Sequence, residues 1–111
     1  MPEYVPERGH VVWLNFTPQS GREQAGKRPA FVISPGAYNK KVGLALFCPI
    51  TNQIKGYPFE VLIPDGQNTH GVILSDQVKS LDWNARKAKF VERMSAKTVE
   101  EVLIRIAALV G

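Results

Sequence analysis

At 111 residues, with 44% hydrophobic and 22% charged content, the chain has the composition of one soluble globular domain. Division in two would leave units of about 55 residues, where a core is marginal without disulfides or metals. The one cysteine, Cys48, excludes an intrachain disulfide and a multi-cysteine zinc site, and it suits a reducing compartment. No run approaches the roughly 18 to 20 apolar residues of a membrane span. The start, Met1-Pro2-Glu3-Tyr4, lacks the basic and apolar regions of a signal peptide. The expectation is a single cytoplasmic domain over residues 1–111, with no membrane partner.

The formal net charge of +4 is unevenly spread. Residues 22–55 hold Arg22, Lys27, Arg28, Lys40, Lys41 and Lys55 against Glu23 alone, a net of +5. Residues 79–97 hold six Lys and Arg against Asp82 and Glu92, a net of +4. Concentrated positive charge attracts polyanions by steering and by counterion release. A merely solvated basic surface fits the same counts.

Taken in chain order, the elements are mostly strands. Residues 10–16 alternate well enough for a first strand, between Gly9 and Pro18. A long polar loop follows over 19–27, the kind of segment that often carries function. Residues 28–34 read as a second strand, opened by Pro29 at a place where a ladder donor is dispensable. Residues 44–50 read as a buried third strand and 59–63 as a fourth, with the turn Pro64-Asp65-Gly66 behind it. A fifth is expected over 71–78, a helical turn over 80–86 and a short sixth strand over 89–93. Lys40-Lys41 reads as the tip of a loop. The last segment is a helix: Ser95 suits the N-cap, and Thr98 with Glu101 offers a second capping box. Val99, Val102, Leu103, Ile106, Leu109 and Val110 recur at helical spacing in one stripe. Short strands with one closing helix and no βαβ alternation point to a mainly β (α+β) fold, a small antiparallel barrel with a C-terminal helix.

Few residues suggest chemistry on their own. His10 and His70 are sixty residues apart and stand in no metal-binding spacing, so no metal and no cofactor are expected. Residues 21–28 contain GxxxxGK but no following Ser or Thr, and they lead into a strand rather than a helix. Cys48 lies in an apolar run without an activating base and reads as a core residue. Trp13 and Trp83 read as packing anchors. Three polar groups stand out: Arg28 where the polar loop enters a strand, Thr51 with Asn52 and Gln53 directly after a buried strand, and Asp76-Gln77 within an apolar one. Taken singly, a surface ion pair, a turn cap and a satisfied core carboxylate would explain each of them.

Together these residues carry a resemblance. Glu23-Gln24-Ala25-Gly26-Lys27-Arg28-Pro29 resembles the EQxGxRP signature of the MazF/PemK/Kid family of bacterial toxins. The similarity continues through Val12-Trp13-Leu14-Asn15-Phe16-x-Pro18, Pro49-Ile50-Thr51, residues 55–60 and residues 71–80, and is closest to the MazF branch. The resemblance implies an SH3-like barrel with a C-terminal helix and a homodimer. It also implies a metal-independent endoribonuclease acting on single-stranded mRNA, and an acidic MazE-like antitoxin partner. By the same resemblance Arg28, Thr51 and Glu23 are catalytic candidates, and Asp76 is a candidate base. Arg22, Gln24, Lys27, Asn52, Gln53, Lys55, Gln77 and Lys79 are candidates for RNA contact. Two positions depart from the Kid branch: Leu74 replaces its proposed acid arginine and Arg22 its loop histidine. The Kid-type Arg/Asp pair therefore does not carry over, and Arg28 with Thr51 gains weight.

The residue types suit such a reaction. Without a metal, the RNA's own 2′-OH serves as nucleophile, leaving a 2′,3′-cyclic phosphate and a 5′-OH. An arginine supplies planar, permanently charged donors to the phosphorane oxygens. A threonine can hydrogen-bond a phosphate oxygen but is a poor base, so the base is Glu23 or Asp76. The competing expectation is a non-catalytic SH3-like module that binds nucleic acid or peptide.

Overall fold

Residues that are buried on both sides of one strand determine this architecture. In β1 (His10–Asn15), Val11, Val12 and Leu14 are all fully buried although neighbours in a strand point to opposite faces. Both faces of the sheet must therefore be covered. The structure is a computed structural model that describes residues 4–15 and 26–111. The other strands are β2 (Lys27–Val32), β3 (Ala45–Thr51), β4 (Glu60–Leu62), β5 (Val72–Leu74), β6 (Lys79–Leu81) and β7 (Lys89–Arg93). They form one antiparallel sheet in the order β4-β5-β3-β2-β1-β7, with β6 also on β3. One face holds Val11, Phe31, Cys48, Ile50, Ile73 and Val102 of the C-terminal helix α2 (Ala96–Val110). The other holds Val12, Leu14, Val32, Phe47 and Trp83, with Tyr4 and Val5 laid against them.

The expected class is present: antiparallel strands closed by a C-terminal helix. Among the described residues the end strands β4 and β7 do not pair, so the ladder itself stays open. Strand β3 is the hub. Its first half, Ala45–Phe47, pairs with β6, while Ile50 and Thr51 pair with β5. This split shortens the expected fifth strand, which ends at Leu74. Ser75 and Asp76 turn out of the sheet, and Asp76 is exposed rather than a core carboxylate. Ser80 and Leu81, expected in a helical turn, belong to β6, and the turn begins only at Trp83.

A seven-residue helix, α1 (Gly36–Val42), occupies the segment read as a loop around Lys40-Lys41. Both lysines lie in its last turn, where they favour the helix dipole. Gly43 ends it at a φ of 82°, a left-handed value that glycine adopts without strain. Its one buried polar side chain, Asn39, donates to the carbonyls of Pro6 (2.7 Å) and Ser34 (3.1 Å) and accepts from the Ser34 hydroxyl (2.6 Å). So short a helix shows no apolar stripe, which is why the pattern hides it. In α2, Ser95 is the N-cap, accepting from the Thr98 amide at 3.2 Å. Thr98 is therefore inside the helix and buried, not a second cap. Val102 is fully buried and Val99, Leu103 and Ile106 pack on the core, whereas Leu109 and Val110 are 51% and 81% exposed. Among the described residues no helix is long and apolar enough to cross a membrane.

Candidate active site at the end of β2 and β3

The ladder between β2 and β3 places the two leading candidates together. Its register sets Val32 against Phe47, Phe31 against Cys48 and Ala30 against Pro49. The pairing ends there, and Arg28 and Thr51 lie two positions beyond it, each on its own strand. Both residues line a cleft of about 290 Å³, together with Pro29, Ile50, Asn52, Gln53 and His70. Arg28 is exposed, as a group meant for an anionic ligand must be.

Thr51 ends β3 half-buried, and its Oγ1 accepts the Gln53 amide at 3.1 Å. With one lone pair so engaged, the hydroxyl proton is available to donate into the cleft. The wall behind it is tight. Gly71, at a φ of 108°, packs its Cα against the Thr51 carbonyl, so that a Cβ there would collide with the Thr51 backbone. No other residue type fits both the left-handed conformation and the space.

Not every candidate gathers here. Asp76 lies in the turn after β5, accepts from the Tyr57 hydroxyl at 3.4 Å and does not line the cleft. Gln77 lies in the same turn, its amide donating to the Leu74 carbonyl at 3.1 Å. Lys55 does not line the cleft, and its backbone amide donates to the Glu60 carboxylate at 3.0 Å. Lys79 faces Phe47 at the far half of β3, about 13 Å along the strand from Thr51. Lys27 immediately precedes Arg28 and is exposed. Arg22, Glu23 and Gln24 lie outside the described residues. Cys48 is fully buried, and burial first, with the Asp76 charge second, raises its thiol pKa to about 12. It is a protonated core residue. Among the described residues no three His, Cys, Asp or Glu side chains cluster as a metal site.

Comparison with known proteins decides what this cleft belongs to. Residues 7–110 match the family model of the PemK-like, MazF-like toxin of type II toxin-antitoxin systems. The chain belongs to that family. It is 46% identical over 108 residues to the endoribonuclease toxin MazF of Escherichia coli strain K12, covering 97% of this chain and 96% of that relative. It is 33% identical to the Escherichia coli endoribonuclease PemK over 93% of this chain and 80% of that relative. Its fold matches the MazE-MazF crystal structure (Form-II) from Deinococcus radiodurans at a TM-score of 0.93 and 50% identity, covering 98% of both chains.

Within this toxin fold the sequence missed one member of the cleft. His70 appears along the chain only as an isolated histidine. It reaches the cleft because Thr51 pairs with Val72, which brings the residues just before β5 alongside Asn52. Only the register of β5 on β3 would have revealed it.

Proposed function

We propose that this chain is the toxin of a type II toxin–antitoxin pair, an endoribonuclease that cleaves single-stranded mRNA without a metal and so stops translation. The observation that carries the reading is the cleft lined by both Arg28 and Thr51. Arg28 binds the phosphate at the scissile bond and neutralises the charge that grows on its oxygens as the 2′-oxygen attacks. Thr51 donates its hydroxyl proton to the same phosphate and holds it in line. As the P–O2′ bond forms the P–O5′ bond breaks, and the departing 5′ oxygen takes a proton from water, so that the products are a 2′,3′-cyclic phosphate and a 5′-OH. The 2′-OH proton passes to a carboxylate, for which Glu23 remains the better candidate. It is five residues from Arg28, whereas Asp76 stands outside the cleft.

Lys27, Asn52 and Gln53 are assigned to RNA contact around the cleft and Lys55, Gln77 and Lys79 to contact beyond it, and Arg22 and Gln24 are assigned to RNA contact from the family resemblance alone. The antitoxin is proposed to be MazE-like, with an acidic tail that competes with RNA for the basic surface. Disordered acidic segments are suited to wrapping such a surface and ordering on it. The toxin is proposed to act as a cytoplasmic homodimer of one-domain chains, and exposed Leu109 and Val110 suit a seam between copies.

The test is incubation of the purified protein with single-stranded RNA in EDTA. Discrete fragments with cyclic-phosphate ends are expected, and an all-deoxy strand should remain intact. Strict magnesium dependence, or retention of RNA without cleavage, would contradict the reading, the latter in favour of a binding module.

A further inference from the structure

The segment that carries His70 to the cleft is held from outside the site. Glu92, on β7, directs its carboxylate across to residues 67–69. Its Oε1 accepts the Gln67 side-chain amide at 2.8 Å and the Asn68 backbone amide at 3.0 Å. Its Oε2 accepts the Thr69 backbone amide at 2.8 Å. On the other side of His70, the Gly71 carbonyl accepts the Ile63 amide at 3.0 Å, and Gly71 is pressed against Thr51. His70 thus stands between two anchored neighbours, and it lines the cleft together with Arg28 and Thr51. Neutral imidazole always carries one N–H.

We propose that His70 donates a ring N–H to the RNA phosphate bound by Arg28 and Thr51, and that Glu92 is the positioning residue that holds His70 there. The geometry favours this over a purely structural clamp. The three bonds converge on the residues immediately before His70, and among the described residues none of these three partners lines the cleft. Burial raises the pKa of the Glu92 carboxyl, but the bonds from Thr69, Asn68 and Gln67 outweigh it, so that the net shift is downward and the acceptor stays charged. Glu92 acts through His70, so its removal should cost nothing once His70 is gone.

The inference rests on the ribonuclease reading above, and the test separates the two. Wild type, His70→Ala, Glu92→Ala, the double variant and Glu92→Gln are compared for kcat and KM on one RNA. Affinity is measured in parallel with the same RNA carrying a 2′-O-methyl group at the cleaved nucleotide. Loss of a hydrogen bond to a charged phosphate predicts roughly a tenfold or larger fall in kcat/KM for His70→Ala. Glu92→Ala should fall in the same direction, with weaker affinity for the blocked RNA. The double variant should be no worse than His70→Ala, and Glu92→Gln, which keeps one acceptor oxygen, should lie between wild type and Glu92→Ala. Losses that multiply in the double variant would overturn the proposal. So would Glu92 variants that lower the melting temperature while leaving kcat/KM and affinity unchanged. A wild-type protein that cleaves no RNA would instead overturn the ribonuclease reading beneath it.

Discussion

Two places in this molecule combine an arginine, a histidine and a hydroxyl, and they are built in opposite ways. At the edge of the sheet by β7, Arg93 donates to His10 Nε2 at 3.0 Å, and Nδ1 lies 2.6 Å from the Tyr4 hydroxyl. The Glu7 backbone amide also donates to Nδ1, at 3.3 Å, so both ring nitrogens are engaged inside the protein. Phe90 packs its edge on the ring at a centroid distance of 4.8 Å, and His10 is 6% exposed. In the Arg28, Thr51 and His70 cleft, the arginine and histidine are exposed, and among the described residues only Thr51 shows a side-chain hydrogen bond. The same chemistry is structural where its bonds close on one another. On the function proposed above, it serves catalysis where the groups are left exposed around a cleft.

That contrast can be broken from either side. Arg28→Ala should lose on the order of 10²- to 10³-fold in kcat, as removal of one preorganised donor does. Its melting temperature should stay near wild type, because Arg28 is exposed. Steady-state kinetics beside a thermal melt checks both halves. Gly71→Ala should affect stability and activity together. A strained left-handed residue costs on the order of 1–3 kcal/mol, and the added methyl displaces the Thr51 backbone from its place in the cleft. Denaturant unfolding and RNA cleavage on the same preparation would show whether the two losses occur together.

The closed cluster makes its own prediction about pH. Burial first, and the Arg93 charge second, lower the His10 pKa below its ordinary value of 6.5. The unfolded chain therefore binds a proton in a range where the folded ring refuses one. Stability should fall as the pH drops below about 6.5 and continue to fall down to the lowered folded-state pKa. Replacing His10 by Gln should flatten that dependence, as read from urea midpoints between pH 5 and 7.5. A wild-type curve that rises on acidification across this range would contradict the bonding assigned to Arg93. Smallest of all should be Asp76→Asn. The carboxylate is exposed, its visible partner is the Tyr57 hydroxyl, and it stands outside the cleft. A change within about threefold in kcat/KM is expected, in line with the modest worth of surface polar contacts. A loss comparable to that of Arg28→Ala would return the base to Asp76.

Much of this was legible along the chain. Periodicity placed β1, β2, β3 and α2 to within a residue or two, because each buries an apolar set too regular to be mistaken. Arg28 and Thr51 were legible as a pair only through the family signature, since twenty-three positions separate them and only the folding of β2 beside β3 brings both to one cleft. What escaped notice depends on non-local pairing. The strand expected over 71–78 breaks at Leu74 because β3 offers one half to β5 and the other to β6, a division no local pattern records. Helix α1 hides for a related reason: its buried face is polar Asn39, satisfied by Pro6 and Ser34. His70 and Glu92 carry no motif at all, and their roles depend on three hydrogen bonds between segments more than twenty residues apart.

The claim at the centre of this account is that Arg28 and Thr51 act as one unit on one phosphate. Single-turnover cleavage of one RNA in EDTA by Arg28→Ala, Thr51→Ala and the double variant measures that directly, with a melt of each to show that the fold persists. Groups that act as a unit are strongly non-additive. The account predicts a double variant about as slow as the worse single one, with cyclic-phosphate ends on whatever product remains. Losses that simply multiply, or an Arg28→Ala protein that turns over at a near-normal rate, would contradict it.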